Sequence, residues 1–139
     1  MFMKILVPLD RGDKHRPALQ IAGELARQSK GEITLLHVIE VIPGLSMDEE
    51  RTFYDRLDRS ARKHLERLGA ALTEQQISWQ VKVIFGTRAL EIARYAGENG
   101  SDLMVLSSPA PDPANPAAGW GSLSFKMSLL SPCPVLLVK

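Results

Sequence analysis

The chain is 139 residues long, 45% hydrophobic and 24% charged, with a formal net charge of +1. This is the size of one ordinary domain, residues 1–139, and such a domain buries roughly two-thirds of its unfolded surface. The near-neutral balance excludes a global field drawing the chain to nucleic acid or anionic membrane, and no apolar run approaches the roughly 18 residues of a membrane span.

The opening "MFMKILVPLD" places its early cation inside a strand-like run, which argues against a signal peptide. Within it, "KILVPLD" reads as a first strand buried on both faces, ended by Pro8 and Asp10. "RGDKH" is a polar loop, and Pro17 follows in a first helical turn, where its missing N–H costs nothing. Ala18, Ile21, Ala22, Leu25 and Ala26 recur at helical spacing, and Gly31 stops that helix. "EITLLHVIEV" is the second strand. After "IPGLS", Asp48 to about Glu74 reads as one long helix with the stripe Tyr54, Leu57, Ala61, Leu65, Leu68 and Leu72. Its charge run, with Asp55 before Arg59 and Asp58 before Arg62, reads as a solvated outer face; each pair contributes about 0.3 kcal/mol.

"SWQVKVIF" alternates Trp79, Val81, Val83 and Phe85 with polar neighbours, as a half-buried strand does, and Gly86 breaks it. "ALEIARYAGENG" is a third helix with Leu90, Ile92, Ala93 and Ala96 as inward positions. "DLMVLS" is a fourth strand. The loop "SSPAPDPANPAAGWGS", a helix from about Leu123 to Leu130 and the strand "PCPVLLVK" complete the chain, with no internal repeat.

Strands and helices alternate throughout. Right-handed crossovers then give an α/β fold, a doubly wound parallel five-stranded sheet in the order 3-2-1-4-5 with helices on both faces. Ligands in such sheets bind beyond the carboxyl ends of the strands where the order reverses. Two loops border that point here, Asp10–Arg16 and Ser107–Ser122.

Taken in order, "KILVPLD", "ALQIAGELA", "ITLLHV", "SDLMVLSS" and "GSLSFKMSLLSPCPVLLVK" resemble the universal stress protein family over nearly the whole chain. The resemblance implies the same 3-2-1-4-5 fold and a small cytoplasmic protein of the stress response, often dimeric. It implies ATP binding in some members only. Those members carry Gly-x-x-Gly after strand 4, nine further residues, then Gly followed by Ser or Thr. Their adenosine end contacts the close of strand 1, here Pro8, Leu9 and Asp10, and the end of strand 2, here Val38.

This sequence departs from that pattern. Ser107 and Ala110 stand where the two glycines belong, the spacer before Gly121 is ten residues, and only Gly121 and Ser122 survive. A phosphate nest needs successive inward N–H groups, with a residue at positive φ. Pro109, Pro111, Pro113 and Pro116 donate no N–H and hold φ near −65°. Each lost bond to a charged group costs about 1.5–3 kcal/mol. The remaining groups for an anion are the N-terminus of the helix after Ser122, and Arg11, Lys14 and Arg16; Ser122 serves equally as a helix N-cap. Asp10 suits a ribose or an amine.

No P-loop and no Gly-x-Gly-x-x-Gly is present. His15, His37 and His64 have no metal-ligand spacing with Cys133 or paired acids, and His37 reads as a buried structural residue. The lone Cys133 reads as a small strand-entry residue and suits a reducing compartment. Trp120 packs on the domain's own surface, or else serves as a lid or partner contact. Val135, Leu136, Leu137 and Val138 form an apolar edge strand that invites pairing with a second copy. The expectation is a non-enzymatic, homodimeric binding or signalling domain, requiring no cofactor or metal and open to a regulatory protein partner. The alternative is a regulator that binds ATP, ADP or AMP and hydrolyses weakly at most.

Overall fold

The computed structural model describes residues 1–12 and 14–139. Five strands, β1 (Lys4–Pro8), β2 (Glu32–Ile39), β3 (Ser78–Phe85), β4 (Leu103–Ser107) and β5 (Val135–Val138), form one parallel sheet in the order β3-β2-β1-β4-β5. Four helices connect them: α1 (Arg16–Ser29), α2 (Arg51–Glu74), α3 (Arg88–Glu98) and α4 (Leu123–Leu130). A single 3-10 turn, Pro116–Gly119, interrupts the loop before α4.

The alternation of side chains along each strand divides the core in two. Ile5, Val7, Ile33 and Leu35 pack under α1 and α2, with Ala22, Tyr54 and Leu65 facing them. Leu6, Leu36, Met104 and Leu106 face the other way, against Ile92, Ala96 and Met127 of α3 and α4. Tyr54 anchors the first core; its hydroxyl donates to the Leu45 carbonyl and accepts from the Ile42 amide.

Several local details differ from the periodicity. The long helix begins at Arg51 rather than Asp48, because the Ser46 hydroxyl and carbonyl accept from the Glu49 and Glu50 amides and hold a turn there. The chain leaves α1 in a left-handed conformation at Lys30, φ 59°, rather than at Gly31. Gly31 is needed for close approach instead: a Cβ there would lie 2.7 Å from the Phe2 carbonyl oxygen. Of the helical pairs, Asp58–Arg62 closes at 2.7 Å, and no Asp55–Arg59 bridge forms among the described residues.

The detail that positions the site is a parting of strands. β1 runs beside β2 as far as Pro8↔Leu36, but beside β4 only at Ile5↔Leu103 and Leu6↔Met104. Pro8 has no N–H with which to extend a ladder. Beyond it a crevice opens between β1 and β4.

Candidate functional site

The crevice has a volume of about 190 Å³, below the roughly 300–1,000 Å³ of sites for drug-sized ligands. Pro8, Leu9 and Asp10 form one wall and Ser107 and Pro109 the other, with Ser122, Leu123 and Ser124 at the start of α4 closing one side. The remaining lining is aliphatic (Leu36, Val38, Ile92 and Leu106) together with His15 and Arg88.

Of the residues named from the sequence, Pro8, Leu9, Asp10, Val38, Ser107 and Ser122 therefore come together. Gly121 is adjacent in the chain but is not part of the wall. Arg11 turns toward α2, where its guanidinium donates to the Ser60 hydroxyl at 2.6 Å. Lys14 is exposed, and it is its main-chain carbonyl that faces the site, 3.3 Å from the Ser107 hydroxyl. Trp120 is 63% exposed and stacks on Phe125, with ring centroids 6.4 Å apart, outside the crevice.

His15, weighed from the sequence only as a metal ligand, and Arg88, not named there, both line the crevice. His15 occupies the N-cap position of α1 but makes no side-chain cap bond. Its ring instead bridges the mouth, with Nε2 2.6 Å from Asp10 Oδ1 and Nδ1 3.2 Å from Ser107 Oγ. The proximity of Asp10 and His15 in the chain was a usable signal. Ser107, 92 positions from His15, is brought in only by the sheet order. Arg88 follows the Gly86-Thr87 break and opens α3, where its amide donates to Glu40.

Charge at the mouth is biased toward a carboxylate. Partial burial pushes the Asp10 pKa up, but hydrogen bonds from His15 and from the Gly12 amide, with the nearby Arg88 cation, outweigh it and leave Asp10 below its usual value. Asp10 is thus an ionised acceptor at neutral pH. Behind it lies His37, 8% exposed, whose Nδ1–H donates to the Leu9 carbonyl at 2.8 Å and locks the end of β1. Burial lowers its pKa, and the cations Arg88 and Arg11 add to that against the opposing Leu9 bond.

At the fourth side, Ser122 caps α4. Its hydroxyl accepts from the Phe125 amide at 3.2 Å and donates to the Gly119 carbonyl at 2.7 Å. Ser124 continues the polar chain to Ser108, and Lys139 donates to the same Ser108 hydroxyl. Between Ser107 and Ser122 no described residue has positive φ, Gly119 and Gly121 included. Among the described residues no group of three or more His, Cys, Asp or Glu side chains is placed to hold a metal, and no helix is long and apolar enough to cross a membrane.

Comparison with known proteins places the fold. The model of the universal stress protein family matches residues 1–139. The chain belongs to the universal stress protein family. The universal stress protein YxiE of Bacillus subtilis is 31% identical over 152 aligned residues, covering 100% of both chains. Universal stress protein UspA from Lactobacillus plantarum superposes with a TM-score of 0.82 at 20% identity, covering 99% of this chain and 98% of that one. A universal stress protein from Archaeoglobus fulgidus, solved in complex with dAMP, superposes with a TM-score of 0.73 at 19% identity and full coverage of both chains. Within this universal stress protein, then, the fold is that of its relatives.

Proposed function

We propose that the chain is a cytoplasmic stress-response domain that binds and signals as a homodimer and does not hold ATP through a phosphate nest. One observation carries this reading: the segment that would wrap a triphosphate has prolines at 109, 111, 113 and 116, no glycine at 107 or 110, and no residue at positive φ. Such a backbone offers few converging N–H groups. The cap bond further commits the Ser122 hydroxyl to its own helix. The domain then acts by occupancy and by contact with a regulatory protein, not by turnover of ATP.

The dimer is supported by β5, which ends the sheet with Leu136 37% exposed. An apolar, uncovered edge pairs with its two-fold mate in an isologous join. A second reading, a nucleotide-dependent regulator, is favoured by the dAMP complex of the Archaeoglobus relative and by the convergence of Asp10, Val38, Ser107 and Ser122 on one crevice. Arg11 and Lys14 would then reach the anion only by leaving their present contacts and positions.

Calorimetric titration with ATP, ADP and AMP in the presence of magnesium separates the two. The first reading expects no ATP binding at micromolar concentration; a micromolar Kd for ATP would establish the second.

A further inference from the structure

The bridge formed by Asp10, His15 and Ser107 has a consequence beyond ligand binding. An ionised Asp10 accepts only, so the ring nitrogen 2.6 Å away, Nε2, carries the proton of the neutral imidazole. The other nitrogen, Nδ1, then presents its lone pair to the Ser107 hydroxyl at 3.2 Å. An acid orienting an imidazole that faces a hydroxyl is the Ser-His-Asp constellation, which is recognised by roles and geometry rather than by chain position. The ring uses its two nitrogens in the reverse sense to the serine proteases, which changes neither role.

We infer that Ser107 is an activated nucleophile that accepts the acyl group of a small activated ester or thioester. His15 is the general base and Asp10 the positioning residue. The crevice suits an acyl group: its floor is aliphatic, with Leu36, Val38 and Leu106, and its volume is about 190 Å³. Leu123 and Ser124, whose first-turn amides have no acceptor among the described residues, line the same crevice. Donors of this kind stabilise the oxyanion of acyl transfer. The Lys14 carbonyl, 3.3 Å from Ser107 Oγ, is a second acceptor for the hydroxyl at rest.

In the reaction Ser107 Oγ bonds to the carbonyl carbon while its proton passes to His15 Nδ1. The bond from that carbon to the leaving oxygen or sulfur breaks, and the imidazolium returns the proton to the departing atom. Water, deprotonated by the same nitrogen, then attacks the acyl-serine, releasing the carboxylic acid and restoring Ser107. No oxidant or reductant is required. This step is independent of whether ATP binds.

The test uses the full chain and p-nitrophenyl acetate, following nitrophenolate release and mapping the acetyl group by peptide mass spectrometry. The expected result, with the reaction acid-quenched within the first turnover so that the acyl-serine is trapped, is acetylation of Ser107 in the wild type, abolished in Ser107→Ala. His15→Ala slows acetylation by about 10²-fold or more, with added imidazole restoring part of the rate. Asp10→Asn slows it likewise and Asp10→Glu largely preserves it. An acetyl group on lysines or the N-terminus with Ser107 unmodified overturns the inference. So does Ser107 acetylation at the wild-type rate in His15→Ala. Mapping on the wild type decides the matter even where a variant fails to fold.

Discussion

His37 and His15 are each only 8% exposed, yet they sit in different electrostatic surroundings. His15 faces a carboxylate and a hydroxyl across the crevice, whereas His37 donates to a main-chain carbonyl and has Arg88 and Arg11 nearby. For His37, burial first, and then those cations, lower the folded-state pKa below the ordinary 6.5. The unfolded chain therefore binds the extra proton first as pH falls. Its contribution to stability is present above about pH 6.5 and is lost as pH drops below that value toward the folded-state pKa. Thermal melts should thus show a falling midpoint on acidification from pH 7 to 5, with a shallower slope in His37→Gln. An unchanged slope would mean that the ring takes up its proton equally in the folded and unfolded chains. His37 was legible as a structural residue because an apolar pattern surrounds it. His15 was not, since nothing local to "RGDKH" indicates that Ser107 will lie beside it.

Helix faces were legible wherever the apolar spacing was unbroken. Tyr54, Ala61, Leu65 and Leu72 of α2 are all buried, as are Ile92 and Ala96 of α3. Two predicted inward residues are instead exposed, Leu90 at 57% and Ile21 at 39%. Leu90 lies two positions before Ile92, about 200° around the helix, so both cannot face the sheet. Ile21 flanks the Ala18–Ala22–Ala26 face, whose small side chains bring α1 close to the strands. At α4 the sequence left Ser122 divided between cap and phosphate contact, a choice that only the hydroxyl's partners decide. Because that hydroxyl accepts from Phe125, Ser122→Ala should remove about 1 kcal/mol of stability. For a domain of this size the thermal midpoint should fall by about 3–5 °C. No shift in a calorimetric scan would show that the cap contributes nothing.

At the scale of the whole molecule, the strand order followed from alternating elements and short right-handed connections, so the location of the crevice was legible before any side chain was placed. Its small volume was not, because that depends on how Pro109 and α4 close over it. Assembly belongs to this scale as well. If β5 pairs with its mate, Leu136→Asp should convert a wild-type dimer to monomer in light scattering, since a carboxylate at the join would be desolvated; a monomeric wild type would exclude edge pairing. The central claim concerns the loop, and its most direct measurement is ATP titration of the wild type beside a variant whose loop from β4 to α4 is replaced by one with Gly-x-x-Gly, nine residues and Gly-Ser. We predict no micromolar binding by the wild type and a gain of at least about 10²-fold in the graft, the worth of two recovered charge-assisted bonds. Micromolar ATP binding by the wild type, or a graft that binds no more tightly, would contradict it.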